Sequence, residues 1–283
     1  MKKVLITGAS GYIGQHLAKL LSEDYFVIGM DINPPVDPTV FNKFLYDDIR
    51  STDLDQFMAW EGIFNIDVVV HLAALVQVGE SVKKPIDYYT TNCEGTLNLL
   101  KHIDCERFIF ASTGAAVNPT SPYALSKAMM EPVVEQYCKE NNINYTIFRF
   151  YNVIGSDGYE PTNPDGLFYN LIKAKETGEF NLYGTDYNTF DGTAVRDYVH
   201  VMEICHAIEL AVRNGNTDEG VQNLGHGKGY TVMEIINMFK KVNNCDFKVN
   251  ACQRREGDVE SSVLENVSPY MSNIYSLAEL LRI

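Results

Sequence analysis

Positive charge is scarce in this 283-residue chain: 23 Lys and Arg stand against 37 Asp and Glu, a net charge of −14. A nucleic-acid or anionic-membrane surface needs excess cations to displace counterions from phosphate, so neither class of partner is expected. A phosphorylated ligand would have to be held by a few placed cations and by backbone dipoles, which gives Arg196, Arg254 and Arg255 added weight. Long apolar runs are missing as well, and none approaches the about 20 residues of a membrane helix. The opening MKKVLITGAS runs from a buried-strand pattern straight into a glycine turn and lacks the shape of a cleavable signal. The six cysteines (Cys93, Cys105, Cys138, Cys205, Cys245, Cys252) form no CxxC pair and no regular framework. A reduced, cytoplasmic compartment follows, and no metal site is expected. Repeats and low-complexity tails are also lacking.

What is present is alternation. Short β-branched runs at 4–7, 26–31, 44–49, 67–73, 107–112 and 145–153 read as strands, and segments such as GQHLAKLLSE, PIDYYTTNCEGTLNLLKHI and PYALSKAMMEPVVEQYCKE between them carry helical spacing. Continuous apolar strands between helices imply a parallel sheet covered on both faces, an α/β Rossmann-like doubly wound domain. From about residue 155 the texture turns to Gly, Asn, Asp and Pro. The expected division is a dinucleotide-binding domain over 1–155, with 195–215 packing back on it, and a smaller C-terminal substrate lobe from 156–194 and 216–283.

Gly8, Gly11 and Gly14 lie between the first strand and the first helix. Glycine there lets the backbone approach a pyrophosphate, and the helix N-terminus offers free N–H groups and a positive dipole end. Asp31 ends the second strand about 20 residues on, where a carboxylate accepts hydrogen bonds from a ribose diol and repels a 2′-phosphate, favouring NAD over NADP. A turn cap is the other reading of Asp31. Asp48 and Ile49 end the third strand where an adenine would lie, and a solvated acidic turn accounts for their spacing equally well.

Tyr123 and Lys127 are four apart on a helix opened by Ser121 and Pro122, so both side chains share one face. A phenol works as a base near neutral pH only if positive charge draws its pKa down from about 10. Thr113 ends the preceding strand and can bond the same substrate oxygen, giving a Thr-Tyr-Lys relay. Tyr169 and Lys173 repeat the spacing without a preceding Ser-Thr strand end, and they read as one face of a surface helix.

TGASGYIG, HLAALVQVGESVKKPIDYYTTNCEGTLNLL, SPYALSK, DYNTFDGTAVRDYVHVMEI, NLGHGKGYTVMEI and RREGD follow one another along the chain. In that order they resemble the extended short-chain dehydrogenase/reductases, on their UDP-glucose (UDP-galactose) 4-epimerase branch, over about residues 3 to 260. The resemblance implies bound NAD, a UDP-hexose substrate and a C4 epimerisation in which Tyr123 takes the 4-hydroxyl proton. Tyr12, Ile13, Leu72, Ala73, Ala74, Asn92, Ser112 and Tyr151 would join the glycines, Asp31, Asp48, Ile49, Tyr123 and Lys127 around the cofactor. Asn152, Leu167, Tyr183, Arg196, Arg255 and Asp258, with Thr113, would hold the substrate.

The same resemblance implies a homodimer. It argues against a dehydratase, because Gly114 and Ala115 stand where those enzymes carry an acid pair, and it makes His200 a structural histidine. Departures from the family pattern are a short connection between Thr113 and Tyr123, expected to leave the pocket more open, and Pro132, expected to bend the Tyr-Lys helix. A nucleotide-sugar-binding protein without turnover, or another NAD-dependent nucleotide-sugar oxidoreductase, is the alternative.

Overall fold

The computed structural model describes residues 1–213, 220–255, 257–271 and 275–283. Six strands, β1 (Lys3–Thr7), β2 (Phe26–Asp31), β3 (Lys43–Tyr46), β4 (Ile66–His71), β5 (Cys105–Thr113) and β6 (Asn144–Phe150), pair in parallel in the order β6-β5-β4-β1-β2-β3. Val4, Leu5, Ile6, Val68, Val69 and Val70 are buried without alternation because helices cover both faces of the sheet. The strand order reverses between β1 and β4, and in an open parallel sheet ligands bind outside the carboxyl ends of the strands at that reversal.

Helix α1 (Tyr12–Leu21) and the helix Val201–Arg213 share one apolar layer, in which Leu17, Leu21, Ile204 and Ile208 pack with Val4 and Ile6. On the opposite face Leu99, Leu100, Met130 and Val134 meet Leu5, Val69 and Phe108. A separate core joins Phe168, Leu171, Phe180, Leu182, Ile235 and Phe239, around the helices Leu167–Thr177 and Val232–Val242.

The expected division of the chain needs two corrections. Gly220–Leu224, assigned to the second lobe, pairs in parallel with β6 and becomes the seventh strand of the main sheet. Its sequence GVQNL has too few apolar residues to read as a sheet strand. Tyr270, also assigned to that lobe, packs edge-on against Phe148 of β6 in the first core. Residues 214–219 of the expected boundaries, Glu256 of RREGD and 272–274 of the tail lie outside the described residues. The Tyr-Lys helix, Pro122–Glu140, continues through Pro132 as one element of 19 residues.

Candidate active site

β1 delivers the chain to Gly8, which takes φ +70°, a conformation open to glycine without a Cβ penalty. A Cβ there would lie 2.6 Å from the Ala73 nitrogen, so this turn packs directly on the loop after β4. A Cβ on Gly14 would collide with the Gly8 carbonyl. Helix α1 starts at Tyr12 with Gly11 as an N-cap that supplies no side-chain bond, and its first turn holds no acid. Gly8, Gly11, Tyr12, Ile13 and Gly14 line a cleft, and the dipole end of α1 lies in that lining.

Asp31 lines the same cleft and acts as the turn cap that its position also suggested. Its carboxylate accepts from Ser10 N at 3.0 Å and Asn33 N at 2.9 Å, capping two turns. The Asn33 amide adds a longer third bond at 3.4 Å, and since a carboxylate has about four acceptor sites, capacity remains for a ribose hydroxyl. Asp48 is gripped by the Arg50 fork at 2.9 and 2.6 Å, which holds its carboxyl below the usual range; it lines the cleft with Ile49.

Asn92 departs from the expected cofactor set. It is fully buried behind the cleft wall in a π-helical turn, Thr90–Glu94. Its side chain clamps both backbone groups of Leu75 (2.8 and 3.0 Å) and donates to Ser126 Oγ at 3.0 Å. The Asn92 carbonyl accepts from the Thr96 hydroxyl, which must then accept from His71 Nε2; His71 Nδ1 accepts from Thr7, and Thr7 Oγ1 accepts from Ala73 N. His71 is neutral because burial, and then Lys127, drive its pKa well down. This chain supports Leu72, Ala73 and Ala74, which line the cleft.

At the end of β5, Thr113 caps a short 3₁₀ turn, Gly114–Val117, accepting from Ala115 N at 3.3 Å. Thr113 draws the Tyr123 phenol toward the phenolate, but burial outweighs that influence and raises the phenol above its ordinary value, against the depressed value expected for a base. Lys127 is 2% exposed and donates to the Ala111 carbonyl at 2.8 Å; burial lowers its pKa to about 8, opposed by Cys93 and Glu131. The Tyr123 ring meets the edge of buried Tyr88 at 6.5 Å. A Cβ on Gly114 would sit 2.9 Å from the Tyr151 ring, so an acid has no room there. Tyr151 lines the cleft too.

Ser112 is one corner of a cluster missed in the sequence. Its hydroxyl donates to Glu131 at 2.5 Å, and Arg149 forks onto the same carboxylate at 2.8 and 2.5 Å. The available signals were an acid one turn past Lys127 and an arginine at a strand end.

The far wall comes from the second lobe and the loops that lead into it. Asn152 donates to the Asp197 carbonyl at 2.9 Å, and Leu167 opens its helix behind Gly166. The Arg255 guanidinium stacks 4.3 Å from the Tyr183 ring centroid, while Arg196 pairs with Asp258 at 2.5 Å. All six of these residues line the cleft that holds Thr113, Tyr123 and Lys127. Its volume of about 1800 Å³ exceeds the roughly 300–1,000 Å³ of an ordinary small-molecule site and suits two large ligands. His200 is instead a packing residue, stacked on Tyr275 at 4.1 Å and accepting from Met202 N. Tyr169 and Lys173 stay on their own helix, where Lys173 pairs with Glu176.

The model of the NAD dependent epimerase/dehydratase family matches residues 4–225. The chain belongs to that family. It is 35% identical to the UDP-glucose 4-epimerase of Lactobacillus helveticus, over 93% of this chain and 88% of the relative, and 33% identical to that of Halalkalibacterium halodurans, over 92% and 86%. The crystal structure of the Bifidobacterium longum UDP-glucose 4-epimerase in complex with NAD+ and UDP superposes with a TM-score of 0.87 at 28% identity, covering 99% of this chain and 96% of that one. The dinucleotide for which the family is named fits the residues present. The turn at Gly8 and Gly14 admits no side chain, α1 offers an uncapped N-terminus, and Asp31 keeps acceptor capacity.

Proposed function

We propose that this member of the family is an NAD-dependent isomerase that interconverts UDP-hexose C4 epimers, UDP-glucose and UDP-galactose among them. The observation that carries the proposal is that Thr113, Tyr123 and buried Lys127 line one cleft together with the glycine turn at Gly8, Gly11 and Gly14. NAD, when bound, supplies reversible hydride chemistry at sugar C4 and, in its oxidised form, a positive charge in the cleft. Gly8, Gly11, Tyr12, Ile13, Gly14, Asp31, Asp48 and Ile49 would hold its adenosine and pyrophosphate, with Leu72, Ala73, Ala74, Ser112 and Tyr151 along the rest. Asn92 would act from behind that wall.

Tyr123 takes the 4-hydroxyl proton and returns it, and Thr113 orients both oxygens. Positive charge is needed because burial alone keeps the phenol protonated. Lys127 supplies part of it: one of its three N–H donors is spent on Ala111, leaving two for the cleft. Arg196 and Arg255 would grip the diphosphate bidentately, with Asp258 fixing Arg196 and Tyr183 backing Arg255. Asn152 and Leu167 would line the nucleotide-sugar end.

Two finer points belong to the same proposal. A homodimer is supported by Leu125, Met129 and Val133, exposed at four-residue intervals along the Tyr-Lys helix, with Leu97 exposed on the helix Gly95–His102. A cytoplasmic location is supported by six free cysteines, and no helix among the described residues is long and apolar enough to cross a membrane.

The test is to incubate the purified protein with UDP-glucose, UDP-galactose and their N-acetyl forms and follow C4 stereochemistry by NMR. Interconversion without net NAD reduction is expected, and Tyr123→Phe should lose at least about 100-fold in rate. Absence of epimerisation with all four sugars would overturn the proposal.

A further inference from the structure

The Ser112–Glu131–Arg149 cluster does more than fill the space under the cleft. Ser112 of β5 and Arg149 of β6 are register partners, side by side on one face of the sheet, and both line the cleft. Glu131 stands over them from the helix that carries Tyr123 and Lys127, one turn beyond Lys127. Its side chain is only 8% exposed, and three donors reach it within 2.8 Å, one from Ser112 and two from Arg149. Arg149 is thus forked onto one buried anion that lies a helical turn beyond the buried cation Lys127.

We propose that Glu131 is a positioning residue for the reaction: it ties the Tyr-Lys helix to the strand that ends in Thr113 and places a negative charge one helical turn from Lys127. The proposal rests on the epimerase activity proposed above. The titratable groups around Lys127 are Cys93 from the π-helical turn, His71 from β4, and Tyr123 and Glu131 from its own helix. His71 is neutral, and burial pushes up the Cys93 thiol and the Tyr123 phenol so that both stay protonated, which leaves Glu131 as the anion that opposes the desolvation of Lys127 at neutral pH.

The experiment reads Lys127 directly, by NMR titration of ¹³Cε-lysine-labelled protein with the Lys127 signal assigned from Lys127→Met. The wild-type midpoint is expected near the value of about 8 given by its surroundings. Glu131→Gln deletes the anion, so the midpoint should fall by about one unit, and the alkaline limb of the kcat profile should fall with it. Glu131→Asp keeps the charge and should leave both in place even where thermal stability drops. A purely structural role would move stability in either variant and neither midpoint. If Glu131→Gln fails to fold, Arg149→Gln leaves the anion unpaired and should move the Lys127 midpoint up.

A midpoint within about 0.3 unit of wild type in Glu131→Gln, or no rise in Arg149→Gln, overturns the proposal. The NMR midpoint does not depend on turnover. A wild type that epimerises nothing would sink the activity, while the titration would still judge the role of Glu131.

Discussion

The Lys127 ammonium donates to the Ala111 carbonyl at 2.8 Å, which holds a buried cation against β5 two residues before Thr113. The fold bears a cost for this, since burial moves the lysine from the ordinary 10.5 to about 8. With the folded value below the unfolded one, the unfolded chain binds more protons between about pH 8 and 10.5, and stability rises through that window. Below the window the whole penalty is present. Lys127→Met should therefore unfold at higher denaturant at pH 7, by on the order of 2 kcal/mol after the lost hydrogen bond is counted. The gain should shrink by pH 10, while epimerase activity falls at least about 100-fold. Urea titrations at both pH values check this, and a variant less stable than wild type at pH 7 would contradict it.

Gly114 explains in steric terms why the relay is followed by no acid. Gly114→Ala brings a Cβ to 2.9 Å from the Tyr151 ring, and the ring has to shift. Overpacking of this kind costs about 1–3 kcal/mol. Combining it with Tyr151→Leu should recover most of the loss, because the two side chains compete for one space, and a double-mutant cycle should return a coupling of about 0.5–3 kcal/mol. Additive losses would mean that the ring is not the obstacle.

The His226 imidazole lies 3.0 Å from the buried Glu203 carboxylate, a contact that raises its pKa above the ordinary 6.5. A raised folded value means that the stabilisation is fully present below the unfolded pKa and is lost as pH rises through the folded one. The melting temperature should accordingly fall between about pH 6 and pH 8 by a component that His226→Gln lacks. That component should stay within about 3 kcal/mol, the upper worth of a hydrogen bond to a charged group, since the imidazole is largely buried against a fully buried carboxylate. Identical melting profiles for the two proteins over this range would rule the contribution out.

The placement of the glycine turn and of Tyr123 and Lys127 at one cleft was legible because each group is local: Gly8 to Gly14 spans one turn, and Tyr123 and Lys127 share one helix face. Thr113 was legible because a strand end next to a helix start needs no tertiary information. Asn92 was misplaced because a π-helical turn shifts helical periodicity, and the side chain faces Leu75 and Ser126 in place of the cleft. Glu131 and Arg149 lie 18 positions apart and meet only through the pairing of β5 with β6 and the packing of a helix on both. Gly220–Leu224 was missed because sheet membership at an edge is decided by the partner strand more than by an apolar pattern.

The arginines on the second-lobe wall separate two kinds of grip. Arg196 is already paired with Asp258 and bonded to the Val195 carbonyl, so its orientation is fixed before a ligand arrives. Arg255 is anchored by one bond to the Asp165 carbonyl and by its stack on Tyr183, which leaves most of its fork open. Removing Arg255 should therefore weaken ligand binding with little loss of fold. Arg255→Ala is expected to raise the KM for a UDP-hexose by about 10- to 100-fold with a modest change in kcat, the pattern of lost uniform binding. Arg255→Lys should restore little of it, because a lysine neither forks onto phosphate nor stacks flat on a ring. Calorimetry with UDP alone provides a check independent of turnover: unchanged affinity in Arg255→Ala would remove this residue from the diphosphate grip.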